Sequence, residues 1–508
     1  MPVSFAELYR HYINCRRNKR NTVNALKFEV RQELALLDLL DELNNRTYTP
    51  GRSVCFVNRR PKLREIFAAD FRDRIVHHLV VSHLENYWER VFIHDSFACR
   101  EGKGVHAAVD RLQTFLRQVT RNGKRRAWYL QLDIHSYFMC IDKARLWEML
   151  EPHIEDEQIR WLTRLLVFHD CAADYTPRSP RELLDRVPPH KSLRSVPSGR
   201  GLPIGNLNSQ FFANVYLNRL DQFVKHELRC RHFLRYCDDF VLLSDSREQL
   251  IAWQTRIAQF LAEDLDLSLN DKRTRLRPVR DGVDFLGYIV RHDYRLVRRR
   301  VVGNLQERLN RFQDRYVVQG ARCDSLTFDL PAIDRLRSVL ASYLGHFRHA
   351  NAYQLWQSIW HRFNFLPFLF GYDQASGKLH PKYRVPARLR TVMGQYRWIS
   401  AHYPDAVVLF QVGRYVEFYN AKDGVICEGL ALRAMAPNRR GACYGFPCSH
   451  IPAYERSLLD AGRMVLRVRE LPGIAPQRIK HRAPSLLKMP KSASARIPVF
   501  QHGVFGRH

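Results

Sequence analysis

Two apolar stretches interrupted by aspartate constrain this chain more than any other feature. The first, Trp128-Tyr-Leu-Gln-Leu-Asp-Ile134, alternates with period two and reads as a strand carrying Asp133 near its end. The second spans His232 to Leu243 and reads as two short strands around Tyr236-Cys237-Asp238-Asp239. A carboxylate in an apolar strand is costly to desolvate unless a cation pairs with it. If the two strands lie side by side, Asp133 and Asp238 hold a pair of hard divalent cations, with Asp239 assisting. An Asp-Asp pair alone fits a polar hairpin turn equally well.

The charge balance narrows the partners. The chain has 508 residues, with 81 Lys and Arg against 51 Asp and Glu, a net +30. A folded chain with that excess attracts polyanions, nucleic acid above all. At 45% hydrophobic and 12% aromatic residues, wholesale disorder is excluded. The first twenty residues lack an apolar signal core, and runs such as Phe363 to Gly371 are too short to span a bilayer. The expectation is a cytoplasmic protein with no membrane partner. Eleven cysteines show no secreted-domain pattern, and Cys443-x4-Cys448-x-His450 lacks a fourth zinc ligand at a common spacing.

Along the chain, residues 1–50 are helical in pattern, with Leu36, Leu39, Leu40 and Leu43 at helical spacing before the Tyr48-Thr-Pro-Gly51 turn. Short strands are predicted over 54–66 and helices over 73–92 and 206–228. Residues 176–200 read as a loop, and 296–361 as a basic helical region. Residues 371–390 look like a linker. Beyond it, Val407 to Tyr419 reads as strand, turn, strand, and Pro452 to Gly462 as a helix. From Leu471 onward seven Lys or Arg, five prolines and no acids predict an extended basic tail.

The order of motifs over residues 20–365 resembles a reverse transcriptase. Lys62-Leu-Arg64-Glu-Ile66 with Asp73-Arg-Ile-Val76, and Ser96-Phe-Ala-Cys-Arg100-Glu-Gly102-Lys-Gly104, look like its fingers motifs. Asp133 sits in what resembles the first palm motif and Gly201-Leu-Pro-Ile204-Gly-Asn-Leu-Asn-Ser-Gln210 in the next. Tyr236-Cys-Asp-Asp239 looks like the metal signature, Leu269-Asn-Asp-Lys272 the lysine motif, and Phe285-Leu-Gly-Tyr288 the primer grip. The resemblance implies an α+β right hand: fingers to 125, palm 126–295 and helical thumb 296–370. It implies catalytic Asp133, Asp238 and Asp239, Mg²⁺ (or Mn²⁺) on these and the Ile134 carbonyl, and Lys272 as proton donor to pyrophosphate. Lys62 and Arg64 would hold the dNTP triphosphate, Phe138 would exclude a ribose 2′-OH, and Arg298, Arg299 and Arg300 would grip the template–primer duplex.

Ile204 and Gln210 refine the resemblance. Many reverse transcriptases carry Gln where Ile204 stands; the aliphatic form ending in Ser-Gln resembles enzymes of diversity-generating retroelements, which copy a template RNA into cDNA with errors at adenines. A small basic accessory oligomer often assists those enzymes. A group II intron-like or defence-associated enzyme is the alternative, and an inactive nucleic-acid scaffold a second. Residues 391–470 resemble the mismatch-reading first domain of MutS, with Tyr415 and Glu417 on its aromatic-x-Glu pair. Here Tyr replaces the usual Phe, and Arg414 stands where that family has Asp. No Gly-x4-Gly-Lys-Ser/Thr occurs, so no MutS ATPase half is expected within these residues.

Overall fold

The computed structural model describes residues 2–17, 22–59, 62–419, 423–434, 441–472 and 480–491. The chain divides into two compact units, 1–294 and 295–508.

The first unit is built around a four-stranded antiparallel sheet. In spatial order its strands are His232–Tyr236, Asp239–Ser244, Trp128–Asp133 and Arg275–Pro278. Leu130, Leu132, Phe233, Phe240 and Leu242 are buried in the large core cluster, packed with helices Phe71–Val91 and Leu207–Gln222. The helix predicted over 73–92 begins two residues earlier, because Asp70 caps it by accepting from the Arg72 N–H. That leaves Asp73 inside the first turn, where it accepts from the Tyr48 hydroxyl at 2.8 Å and the Gly51 N–H at 3.0 Å. The Tyr48–Gly51 turn is thereby pinned to the helix.

A smaller sheet pairs Ser53–Asn58 antiparallel with Arg64–Ala68 and parallel with Tyr175–Pro177. The expected loop over 176–200 is therefore partly ordered secondary structure, with a short helix Arg181–Asp185 and two 3₁₀ turns. Glu65 explains why the segment stays down. Its buried carboxylate accepts from Ser192 Oγ, the Leu193 N–H and Arg194 Nε. The backbone of Gly205 runs so close to this sheet that a Cβ there would meet Ile66 Cγ2 at 2.8 Å.

The second unit corrects three boundaries. Residues 371–390 are no free linker: Phe370–Asp373 and Lys378–Pro381 form a hairpin, and Phe370, Tyr383 and Val385 are buried in the unit's core. Residues 482–490 are no loose tail: Arg482–Pro490 is a strand between Cys323–Thr327 and Met464–Glu470. Of the predicted tail, 473–479 and 492–508 lie outside the described residues. The expected helical thumb is interrupted by a hairpin, Val317–Gln319 with Cys323–Thr327. That hairpin is the edge of one seven-stranded sheet, completed by Arg482–Pro490, Met464–Glu470, Ala406–Val412, Tyr415–Phe418 and Tyr444–Pro447. Helices Arg299–Tyr316, Leu330–Phe347 and Tyr353–Arg362 share one hydrophobic core with this sheet. Apolar residues at helical spacing mark buried faces, but the pattern does not say whether the neighbour is a helix or a sheet.

Candidate active site at the carboxylate hairpin

The sheet register brings the aspartates together. Trp128–Asp133 and Asp239–Ser244 pair so that Asp133 stands directly opposite Asp239. Opposed residues share a face, with roughly 5 Å between Cβ atoms. Tyr236 also pairs with Asp239, so Cys237 and Asp238 form a two-residue turn with Cys237 in the left-handed region at φ 53°. A non-glycine residue there needs support.

The support is a buried polar truss. Arg235 and Asp221 are both fully buried, and Arg235 Nε and Nη2 donate to the Asp221 carboxylate at 2.7 and 2.6 Å. Arg235 Nη1 donates to the Cys237 carbonyl and to Asn214 Oδ1, both at 3.1 Å. The turn is thus tied to the helix carrying Asn214 and Asp221.

Burial pushes the Asp133 carboxyl up to about 6, and the neighbouring Asp238 charge pushes the same way. Burial pushes Asp239 up to about 7, reinforced by Asp238 and Asp133. Burial raises Asp238 as well, while Arg64 and Arg235 pull it down. Arg64 thus reaches this cluster electrostatically, acting on both Asp133 and Asp238. Asn270 Nδ2 donates to Asp133 Oδ2 at 2.9 Å and Arg273 Nη1 to Asp133 Oδ1 at 2.8 Å. Gln131 Nε2 donates to Asp239 Oδ1 at 3.0 Å.

Three clustered carboxylates, raised by burial and mutual repulsion although Arg273 pairs with Asp133, fit a divalent cation in chemistry. Their present arrangement holds no ready cage: among the described residues no three or more His, Cys, Asp or Glu converge as metal ligands. The Asp133 oxygens are occupied by Asn270 and Arg273 instead.

The other predicted residues divide. Phe138 and Ile204 are half-buried and pack against one small cluster containing Phe67 and Met139. The Ile204 carbonyl accepts from the Phe67 N–H at 3.1 Å, and the Phe138 carbonyl from the Leu202 N–H at 2.8 Å. The Ile134 side chain is core, in a backbone bridge with Leu269. Gln210 is exposed and accepts from Cys99 Sγ at 3.1 Å. Lys62 is half-buried and Lys272 exposed in a 3₁₀ turn beside Arg273. Arg298 precedes helix Arg299–Tyr316, whose first residues, Arg299 and Arg300, are exposed.

Tyr415 and Glu417 do not form an exposed pair. Tyr415 is 54% exposed beside the Gly413-Arg414 turn, whereas Glu417 is buried and accepts from the Tyr419 hydroxyl. The hydrophobic packing of that sheet leaves Glu417 inside.

Sequence reasoning missed Asp221, Asn214, Asn270 and Arg273. A signal existed for one pair: Arg235 in the apolar run Phe233-Leu234-Arg235 demands a buried acid, and Asp221 lies on an otherwise apolar helix.

Residues 58–290 match the family described as Reverse transcriptase (RNA-dependent DNA polymerase). The match is to a reverse transcriptase domain and spans 233 of the 508 residues. The domain is that of an RNA-directed DNA polymerase, a nucleotidyl transferase. Residues 390–482 match MutS domain I. Protein YkfC of Escherichia coli (strain K12) is 27% identical over 327 residues, 57% of this chain and 80% of that protein. The group II intron-encoded protein LtrA of Lactococcus lactis subsp. cremoris is 27% identical over 189 residues, covering 37% of this chain but only 27% of LtrA. A solved structure of apo telomerase from Candida tropicalis is similar at 12% identity and TM-score 0.35, over 47% of this chain and 53% of that one. No helix among the described residues is long and apolar enough to cross a membrane.

Proposed function

We propose that this reverse transcriptase copies a template RNA into cDNA from the carboxylate hairpin, inaccurately at template adenines, in the manner of diversity-generating retroelements. The observation that carries the active centre is the register setting Asp133 opposite Asp239, one residue from Asp238 on the turn. In this reading Asp133, Asp238 and Asp239, with the Ile134 carbonyl, hold Mg²⁺, for which Mn²⁺ can substitute. When bound, the metal lowers the cost of the charge that develops in phosphoryl transfer. Arg64 and Lys62 bind the dNTP triphosphate; the pull of Arg64 on Asp133 and Asp238 supports its place there. Lys272, exposed beside the Asp133 ligand Arg273, delivers a proton to the departing pyrophosphate.

Phe138 and Ile204 form the selective wall for the sugar and base, with Gln210 contributing its amide nearby. Their shared packing cluster supports this. Ile204 offers the nascent pair no hydrogen bond, so geometry alone discriminates and fidelity falls. Ile204→Gln is expected to lower misincorporation at template adenines, on the scale of about 1–3 kcal/mol of discrimination. Sequencing of primer-extension products on an RNA template checks this; an unchanged adenine error spectrum overturns the retroelement reading.

Arg298, Arg299 and Arg300 bind the RNA–DNA duplex backbone. Arg299 and Arg300, exposed in the first turn of helix Arg299–Tyr316, put two cations at its positive end, where an anion is stabilised, which supports a phosphate partner. Tyr415 docks nucleic acid by stacking from its exposed position. Glu417, buried against Tyr419, serves as an internal anchor and contacts no base. A small basic accessory oligomer completes the assembly. The likeness to LtrA favours a second reading, a group II intron-type enzyme, for which an accurate copy of adenine is the distinguishing result.

A further inference from the structure

The turn that carries Asp238 also carries a thiol with no part in the proposed chemistry. The chain brings a second thiol to it by a defined route. Ser96 forms a parallel bridge with Arg235. The Arg235 N–H donates to the Asp95 carbonyl at 2.9 Å, and the Phe97 N–H donates to the Arg235 carbonyl at 3.0 Å. Running on in the same direction, the two segments reach Cys99 and Cys237. Both residues sit at φ 53°, in the left-handed region.

The approaches are braced by one pair of side chains. Asn214 Nδ2 donates to the Ala98 carbonyl at 2.7 Å, while Arg235 Nη1 donates to Asn214 Oδ1 and the Cys237 carbonyl. Cys99 and Cys237 thus end two adjacent, cross-braced segments, and Cys99 Sγ donates to Gln210 Oε1 at 3.1 Å in this structure. All eleven cysteines are free, and among them Cys99 is the exposed one. The pair is therefore preorganised by a rigid truss and open to a small reagent on one side.

We infer that Cys99 and Cys237 are a reversible oxidation site that switches the polymerase off. The oxidant is a hydroperoxide. Its O–O bond breaks and takes two electrons from the two thiols, the thiol protons leave on the oxygens as water (and an alcohol, for an organic peroxide), and one S–S bond forms. A dithiol reductant reverses the exchange. Closing the bond draws the sulfurs to about 2.0 Å and pulls the Asp238 turn toward the 95–99 segment. The inactivation rests on the catalytic reading of Asp238; the bond itself does not.

The test uses the full chain treated with hydrogen peroxide, followed by alkylation of free thiols, digestion without reductant and mass spectrometry. The expected product is a cross-linked peptide pair joining Cys99 and Cys237. Primer extension on an RNA template should fall on the order of a hundredfold, the scale of a 1 Å displacement of reacting groups, and return with dithiothreitol. Cys99→Ser and Cys99→Ala, each compared with its own untreated sample, should keep their activity through the same treatment. The site is overturned if other cysteines oxidise while this link does not form. The switch is overturned if the link forms without loss of extension, or if the Cys99 variants are inactivated as readily as the parent. A chain that extends no primer before oxidation sinks the polymerase reading instead, and the cross-link still decides the thiol pair.

Discussion

Two hairpins carry the proposed chemistry and the proposed docking contact, and they are built in opposite ways. Each closes on a two-residue turn: Cys237-Asp238 between Tyr236 and Asp239, and Gly413-Arg414 between Val412 and Tyr415. The first puts a cysteine at φ 53°, the second a glycine at φ 59° with open space around it. The first is held from within by fully buried Arg235. The second is held nearer the surface: the Gly413 N–H donates to Glu470 Oε1 at 3.1 Å and its carbonyl accepts from Gln411 at 3.0 Å. The acids differ in sign as well. Around the first turn burial and like charge raise the carboxyls. At the second, burial pushes Glu470 up, but the Gly413 N–H, Lys480 and Arg482 outweigh it and leave the group below its usual range. An over-determined turn stores repulsion that a bound cation would relieve; a lightly tethered, neutralised turn leaves Tyr415 free to adapt to a ligand.

The contrast breaks most visibly at the carboxylates. Asp238→Asn should reduce primer extension by about three orders of magnitude, the scale of losing a group that stabilises transition-state charge, whereas Tyr415→Ala should leave turnover on a saturating template unchanged. Single-turnover incorporation measures both. Next in size is the truss. Arg235→Met alone strands Asp221 in the core and should cost about 3–5 kcal/mol in urea unfolding, most of it recovered by adding Asp221→Leu. Tyr415→Ala should weaken duplex binding by about 1–3 kcal/mol, the worth of one stacked base, read by fluorescence anisotropy.

The smallest effect is a pH dependence at the second hairpin. The Glu470 carboxyl is depressed in the folded chain, so its stabilising contribution is present above the ordinary glutamate value of about 4.3 and is lost as pH falls through the lower folded-state value. Protection of the Gly413 amide from hydrogen exchange, taken relative to the intrinsic rate at each pH, should fall over that window, and Glu470→Gln should remove the dependence.

Much of the candidate site was legible in the residues. An aspartate in the alternating run 128–134 and an acidic pair between two apolar runs predicted a metal-seeking strand pair, and those strands are neighbours. Arg64 was legible as a cation and does act on the cluster. The occupants of the Asp133 oxygens were not legible. Asn270 and Arg273 arrive through a bridge between Ile134 and Leu269, a long-range contact with no local pattern. Glu417 misled for a related reason. An aromatic-x-Glu spacing puts both residues on one face of a strand, but packing buries the glutamate against Tyr419 and leaves Tyr415 outside.

The second unit shows the same limit at larger scale. Gly, Pro, Ser and Lys around 371–390 read as a linker and the basic run after 471 as a tail, since composition reports solvation preference and local turns. Whether such a segment pairs depends on a free strand edge elsewhere, and Cys323–Thr327 and Met464–Glu470 supplied one for Arg482–Pro490. By itself the sequence determined which side chains are equipped for chemistry, because charge and ring are written in the side chains. Only the tertiary structure decided which of them meet, because register and burial are set by contacts between segments far apart in the chain.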